Sequence, residues 1–410
     1  MNVTLQKSTI AEKSDIQITG SKSESNRLLL LKALFPSLEI ENLSNSDDSV
    51  LMSKALTSKA NIIDIHHAGT AMRFLTAFFS LQKNRAIVLT GSKRMQERPI
   101  KILVNALREL GADISYEKNE GFPPLRIKGK DLIKDEVTLD ANISSQYISA
   151  LLLIGAKLDR GIEVTLKGKI TSVPYIKMTL SLLNEIGVAS NFTGNKIKIY
   201  PKQDVGSKTL VVESDWSSAS YFYSIVALSN IGTQITLASY KAKSLQGDSV
   251  LANIYEEFGV STKFHDNKIT LRKISDSKVS KVEKDLSNAP DIAQTIAVTC
   301  LGLGIGCYLT GLHTLKIKET DRLVALKTEI EKFGTEVTIT DKSLSIAEVS
   351  PYKELVRVDT YHDHRMAMAF APLALRVGFA INDADVVSKS FPDYWDDLER
   401  LGFSIEKQMN

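Results

Sequence analysis

One pattern recurs along this chain and constrains its fold more tightly than composition does. Amphipathic helical runs at 103–110, 178–186, 250–258 and 324–333 each stop at a glycine: Gly111, Gly187, Gly259 and Gly334. A short β-rich run follows each glycine, then a few polar residues, then a second β-rich run. The clearest pairs are 188–192 with 196–200 and 260–264 with 268–271, joined by Thr193-Gly194-Asn195 and His265-Asp266-Asn267, which is hairpin chemistry. Two degenerate copies fit as well: 50–59 running into 62–65, and 394–401 with Gly402. A helix C-cap alone accounts for each glycine. It does not account for helix, cap and hairpin recurring together about every 70 residues, a period too long for a solenoid and right for a βαβαββ unit. Six such units suggest two domains of three. No Pro/Gly/Ser linker separates them, so the boundary is tight and falls near 211–215, where a β-rich run meets a new helix.

The balance of charge narrows the partners. With 51 basic and 48 acidic residues the formal net charge is +3, not the basic excess of a nucleic-acid-binding protein. Anion sites must then come from local clustering of cations. No run approaches the roughly 18 apolar residues of a membrane span, and Met1-Asn2-Val3-Thr4-Leu5 opens no signal-peptide core. Only Cys300 and Cys307 occur, in an apolar stretch, as buried small hydrophobes of a reducing compartment. The expected location is cytoplasmic.

Local clusters of cations do exist, and they share a design. Lys318-Glu319-Thr320-Asp321-Arg322 opens the helix of the 324–333 run, with two cations and carboxylates at a helix N-terminus. Gly20-Ser21-Lys22-Ser23-Glu24-Ser25-Asn26-Arg27 precedes an apolar helix, without Walker-loop spacing. His67-Ala68-Gly69-Thr70-Ala71-Met72-Arg73 leads into another. Ser92-Lys93-Arg94-Met95-Gln96-Glu97-Arg98-Pro99 follows a strand, Ser144-Ser145-Gln146 opens a helix, and Ser172 stands before Val173-Pro174. Asp215-Trp216-Ser217-Ser218, Gln246-Gly247-Asp248, Pro290-Asp291, Asp363-His364-Arg365 and Lys389 occupy equivalent turns. Each one, taken singly, reads equally as a helix cap or a solvated charge run. Together, if the repeats bring these helix starts to one surface, they gather Lys22, Arg27, Arg73, Arg94, Lys318, Arg322, Arg365 and Lys389 around Asp291 and Glu319: a pocket for highly anionic ligands with acid–base groups inside. His66, His67, His362 and His364 lack further ligands at metal spacing, so no metal site is expected.

In this order along the chain, Ser21-Lys22-Ser23, Asn26-Arg27, Ala68-Gly69-Thr70-Ala71-Met72-Arg73, Arg94-Met95, Glu97-Arg98-Pro99-Ile100, Ser144-Ser145-Gln146, Ser217-Ser218-Ala219-Ser220-Tyr221, Gln246-Gly247-Asp248, Lys318-Glu319-Thr320-Asp321-Arg322, Asp363-His364-Arg365-Met366-Ala367-Met368 and Phe391-Pro392-Asp393-Tyr394 closely resemble the 5-enolpyruvylshikimate-3-phosphate synthase family. The resemblance implies an α/β fold of two domains, each three βαβαββ units in an inside-out α/β barrel. It implies a discontinuous domain of 1–19 with 214–410, a second domain of 20–213, and an active site in the cleft between them. The implied reaction moves the enolpyruvyl group of phosphoenolpyruvate to the 5-hydroxyl of shikimate 3-phosphate, on the route to chorismate and aromatic amino acids. By the same resemblance Asp291 and Lys22 handle the hydroxyl proton, Glu319 is the acid toward the vinyl carbon, and His364 supports the site. Phosphoenolpyruvate falls to Lys22, Gly69, Arg94, Gln146, Arg322, Arg365 and Lys389. Shikimate 3-phosphate falls to Lys22, Ser23, Arg27, Ser144, Ser145, Gln146, Ser172, Asp291 and Lys318. A monomer without metal or organic cofactor is implied, with glyphosate as the family's inhibitor.

Three positions depart from the family pattern: Phe74 where proline is usual, Thr314 where an asparagine commonly contacts substrate, and His67 where an asparagine often precedes Ala-Gly-Thr. Two other readings stay open. The sister transferase acting on UDP-N-acetylglucosamine shares the fold and the donor, but typically carries a cysteine in the loop matched by 94–98, which has none here. A catalytically silent anion-binding protein on the same scaffold would be favoured by loss of Asp291, Glu319 or Lys22, all of which are present.

Overall fold

A computed structural model describes residues 1–140, 144–168, 170 and 173–408. The chain forms two compact units, Met1–Thr19 with Glu213–Asn410, and Gly20–Val212. Ser172 lies outside the described residues.

The repeat is easiest to follow in one copy. Strand Ile62–Asp64, helix Gly69–Ser80, strand Ala86–Thr90, helix Lys101–Leu110 and the hairpin Asp113–Tyr116 with Leu125–Lys128 succeed one another. The first two strands are parallel, Ile62 opposite Val88, as a helical crossover requires. The last strand then returns antiparallel beside the second, Ala86 opposite Lys128, so the spatial order is first, second, fourth, third. The sheets that open with Glu136–Asp140 and Lys281–Asp285 have the same order.

Two copies are assembled from distant sequence. Strand Lys13–Ile16 pairs in parallel with Gln234–Ala238, and the whole of the second unit lies in the chain between that strand and the helix Trp216–Leu228 that follows it in the copy. The last copy runs Arg357–Val358, His364–Phe370, Phe379–Ile381, Tyr394–Leu401 and Ile405–Gln408. Its fourth strand is the N-terminal one: Val3 lies opposite both Ile381 and Lys407. The sixth copy is shortened. Lys208–Val211 and Leu38–Glu41 pair in parallel as a two-stranded sheet, with helices Lys22–Leu34 and Asp47–Thr57, and the chain continues from there into Ile62–Asp64 without a hairpin. The run 62–65, read from sequence as the end of that degenerate copy, opens the next one.

Each copy uses two kinds of helix. The first is buried nearly all round: every residue of Trp216–Leu228 is buried, and so is nearly all of Gly69–Ser80, Ser145–Gly155 and Ala293–Leu303. Such helices belong in a core. In one unit Lys22–Leu34, Gly69–Ser80 and Ser145–Gly155 pack on one another; in the other Ala293–Leu303 packs on Trp216–Leu228 and His364–Phe370. The second helix of each copy is amphipathic and outer. Lys101–Leu110 buries Leu103, Val104, Ala106, Leu107 and Leu110, the spacing of one helical face. Helices inside and sheets outside make each unit an inside-out barrel. The glycines that follow these helices are fixed by conformation: Gly259, two residues past the C-cap Glu257, has φ +76°, and a Cβ there would overlap the Ser275 carbonyl oxygen.

Candidate active site

The polar motifs lie at the first turns of inner helices and, at Arg322, of an outer one. In the discontinuous unit, helix Arg322–Lys332 starts at Arg322 because Asp321 caps it, its carboxylate accepting from the N–H groups of Leu323 and Val324. Arg322 is 2% exposed. Its Nε donates to Asp363 Oδ2 at 2.6 Å, one Nη to Asp291 Oδ1 at 2.9 Å, and the other to Glu319 Oε2 at 2.8 Å. Burial opposes this charge, but Asp363, Glu319 and Asp291 outweigh it and hold the guanidinium above its ordinary pKa.

Asp291 is the meeting point of the cluster. Besides Arg322 it has Lys318 Nζ at 3.5 Å and Arg365 Nη2 at 3.5 Å, and its backbone carbonyl accepts from Arg365 Nη1 at 3.2 Å. A carboxylate flanked by three cations is stabilised in its ionised form, the form that accepts a proton. Arg365 also donates to Ser217 Oγ at 3.3 Å, and Ser217 in turn donates to the buried carboxylate of Asp248. Burial first, then the charge of Asp291, pushes the Asp248 carboxyl up to about 7. Glu319 reaches this cluster through Arg322. His364 Nδ1 lies 3.8 Å from Asp363 Oδ1, and Lys389 Nζ donates to the carbonyl of His362 at 2.7 Å. Asp291, Lys318, Glu319, Arg322 and Arg365, named from sequence, are thus brought into one network.

The other unit presents the remaining candidates. Lys22 and Ser23 open the helix Lys22–Leu34 and are partly exposed. Arg27 is 2% exposed, and its guanidinium is turned inward onto Thr179 Oγ1 at 2.8 Å, Ser149 Oγ at 3.0 Å and the Ser23 carbonyl at 2.7 Å. Burial pushes its pKa down to about 10, which leaves it charged at neutral pH. Gln146 Nε2 donates to Thr70 Oγ1 at 3.2 Å, joining the start of one inner helix to the next beside Gly69. Ser144 caps its helix through the N–H of Gln146, and Ser145 is buried behind it. Arg94 is exposed and pairs with Glu97 at 3.2 Å.

Arg73 differs from the pocket cation expected from sequence. It is 4% exposed and ties two loops together, donating to the carbonyls of Gly69 at 3.0 Å and Pro99 at 3.3 Å. The three departures from the family pattern also find their places. Phe74 is fully buried, with the Arg27 guanidinium 5.5 Å from its ring centre, a cation–π contact. Thr314 keeps its hydroxyl buried without a hydrogen-bond partner among the described residues. His67 Nε2 lies 3.5 Å from Asp47 Oδ2.

Sequence reasoning missed the roles of Asp363, Ser217 and Asp248. Each stood at a helix start within a family motif but was given no role, and Asp363 does cap the helix His364–Phe370 through the N–H of Arg365. Nothing local marks it as the partner of an arginine 41 residues away. Among the described residues no group of three or more His, Cys, Asp or Glu is placed to hold a metal ion, and no helix is long and apolar enough to cross a membrane. The carboxylates of Asp291, Glu319 and Asp363 converge on a guanidinium instead.

Known proteins resemble this chain along most of its length. A family profile described as EPSP synthase (3-phosphoshikimate 1-carboxyvinyltransferase) matches residues 51–398. A 3-phosphoshikimate 1-carboxyvinyltransferase of Bacteroides fragilis is 47% identical over 400 residues, covering 96% of each chain. One of Shewanella woodyi is 36% identical over 418 residues, covering 94% of this chain and 96% of its own. Among solved structures, an EPSP synthase of Acinetobacter baumannii superposes with a TM-score of 0.80 at 20% identity, over 99% of this chain and 100% of that one. The enolpyruvyl transferase NikO of Streptomyces tendae does so with a TM-score of 0.74 at 14% identity, over 100% and 99%. At those identities the two structures speak for the two-domain enolpyruvyl transferase fold. With a matching profile over most of its length and relatives this similar from end to end, the chain belongs to the EPSP synthase (3-phosphoshikimate 1-carboxyvinyltransferase) family.

Proposed function

We propose that this protein transfers the enolpyruvyl group of phosphoenolpyruvate to the 5-hydroxyl of shikimate 3-phosphate, releasing phosphate, in the shikimate pathway to chorismate and aromatic amino acids. The observation that carries the reading is Asp291 flanked by Arg322, Lys318 and Arg365, with Glu319 on the same guanidinium. In the addition step the acceptor oxygen bonds to C2 of phosphoenolpyruvate as Asp291, with Lys22, takes the hydroxyl proton. Glu319 gives a proton to the methylene carbon, which becomes a methyl group. In the elimination step the C2–O bond to phosphate breaks, the methyl group returns a proton, and the vinyl ether forms.

Lys22, Gly69, Arg94, Gln146, Arg322, Arg365 and Lys389 hold the donor on this reading. Lys22, Ser23, Arg27, Ser144, Ser145, Gln146, Ser172, Asp291 and Lys318 hold the acceptor, and Arg27, bonded to the Ser23 carbonyl, also orders that turn. His364 supports the site beside Asp363. More than one cation for each anion offsets charge in a site closed to water. The reading assigns residues of both units to one reaction. It makes the protein a cytoplasmic monomer that needs no metal or organic cofactor.

Phosphate release by the purified protein tests this. Release is expected only with both substrates and no added metal, and it should collapse in Asp291→Ala. Release with UDP-N-acetylglucosamine in place of shikimate 3-phosphate would replace the acceptor assignment. Donor binding without any release would point to a silent anion binder.

A further inference from the structure

Two successive non-glycine residues, Tyr361 and His362, have φ of +54° and +56°. Left-handed conformations at such residues cost about 1–3 kcal/mol each and persist only where their surroundings hold them. The turn they form sits immediately before Asp363, His364 and Arg365, so the strain lies beside the charge cluster.

What holds the turn is a carboxylate that plays no part in the reaction described above. Glu329 lies on the same helix as Arg322, seven residues on and therefore on much the same face. Its side chain is fully buried. One oxygen accepts from the Tyr361 hydroxyl at 2.6 Å. The other accepts from the Asp359 N–H at 3.1 Å and pairs with Lys332 Nζ at 2.7 Å. Lys332 also bonds to Asp359 Oδ2 at 2.8 Å and to the Arg357 carbonyl at 3.0 Å. Glu329 therefore grips the turn on both sides of Thr360, by a backbone N–H before it and a side chain after it.

The outgoing side of the same turn reaches three cations. The His362 carbonyl accepts from Lys389 Nζ at 2.7 Å. The Asp363 N–H is bonded to the Thr360 carbonyl at 2.8 Å, and the Asp363 carboxylate holds Arg322 and caps the helix that carries Arg365. Rotating the backbone at 361 or 362 moves all three contacts together.

We propose that Glu329 is a positioning residue for the transferase reaction: by fixing the left-handed turn through the Asp359 N–H and the Tyr361 hydroxyl, it sets Arg322, Arg365 and Lys389 for the donor anion. This rests on the assignment of those three cations to phosphoenolpyruvate. A buried ion pair serving only stability is the competing account, and it predicts no preference between substrates.

The test is steady-state kinetics on the full chain with phosphoenolpyruvate and shikimate 3-phosphate varied separately. Tyr361→Phe removes one hydroxyl from a ring that is 37% exposed and opens no core cavity. It should raise KM for phosphoenolpyruvate about 3–10-fold, the factor carried by one hydrogen bond of ordinary net strength, and change KM for shikimate 3-phosphate less than about twofold. Glu329→Gln should act the same way, and the double variant should fall short of the product of the two effects, since both loosen one turn. Adding His362→Gly to Glu329→Gln should recover most of the lost affinity, because glycine adopts the left-handed conformation without strain. His362 is exposed, and only its carbonyl is needed. An unchanged donor KM in Tyr361→Phe, equal increases for both substrates, or no recovery with His362→Gly would each overturn the positioning role. Wild-type protein inactive with these substrates would sink the underlying assignment and the role with it, an outcome distinct from an active wild type whose variants show no donor effect.

Discussion

Replacing Asp363 by alanine and by asparagine separates the two tasks of one buried side chain. Asp363 is fully buried. Its carboxylate is the partner of Arg322 Nε at 2.6 Å, and it also accepts from the N–H of Arg365 at 2.9 Å as the cap of the helix His364–Phe370. Breaking a buried ion pair by removing one partner costs about 3–5 kcal/mol, and losing a helix cap about 1 kcal/mol. Asp363→Ala loses both, so about 4–6 kcal/mol is expected. Asp363→Asn keeps one oxygen for the cap and the 3.5 Å contact from Arg322 Nη2, but sets an amide NH2, a donor, where Nε had its acceptor, while Arg322 retains Asp291 and Glu319. The lost charge-assisted hydrogen bond sets its cost at about 1.5–3 kcal/mol. For a unit of this size each kcal/mol moves Tm by about 2–4 °C, so thermal unfolding should show a drop of roughly 10–20 °C for alanine and about 3–12 °C for asparagine. The transition to follow is that of the discontinuous unit, since two units need not unfold together. An alanine variant within about 3 °C of wild type, or two variants that lose the same amount, would refute the view that Asp363 anchors Arg322.

Two further perturbations test other parts of the structure. Burial and Asp291 raise the Asp248 carboxyl to about 7, so the folded state binds its proton more tightly than the unfolded chain does. Its contribution to stability is fully present below about pH 4 and is lost as pH rises to about 7, at a limiting slope of ~1.4 kcal/mol per pH unit. Asp248→Asn should therefore gain on wild type in Tm between pH 4 and pH 7; a constant difference across that range would show that the group does not titrate there. At Gly20 a Cβ would overlap the Asn42 backbone carbonyl and crowd Val212, neither the flexible end of a side chain, so Gly20→Ala should cost about 2 kcal/mol or more, measured by urea unfolding, and a neutral result would contradict that close approach.

Two charged residues illustrate why a motif does not reveal its own role. Arg27 and Arg73 both stand in the first turns of apolar helices, among residues that match the family pattern. What each guanidinium bonds to within the protein depends on what reaches it from elsewhere in the chain. Thr179 and Ser149, 152 and 122 residues away in sequence, turn Arg27 inward, and the carbonyls of Gly69 and Pro99 take Arg73. Phe74, legible only as a departure from proline, proves to be the ring against which Arg27 packs.

By itself the sequence determined the features whose physics is short-ranged. Helical periodicity, the left-handed glycine after every outer helix but Asp47–Thr57, and the hairpin turns all depend on neighbours within a few residues. The repeat, the α/β class and the polar first turns could therefore be read directly, as could the set of residues that carries the family pattern. Only the tertiary structure decided how the copies close. The N-terminal strand completes the last sheet, one copy is split around an entire unit, and the sixth copy lacks its hairpin so that Ile62–Asp64 pairs forward instead. Strand partners are set by hydrogen bonds between segments that no local pattern ties together. The same holds for charge: Asp291, Glu319 and Asp363 meet at Arg322 because the fold buries that guanidinium, and a buried charge must find its partners wherever the chain brings them.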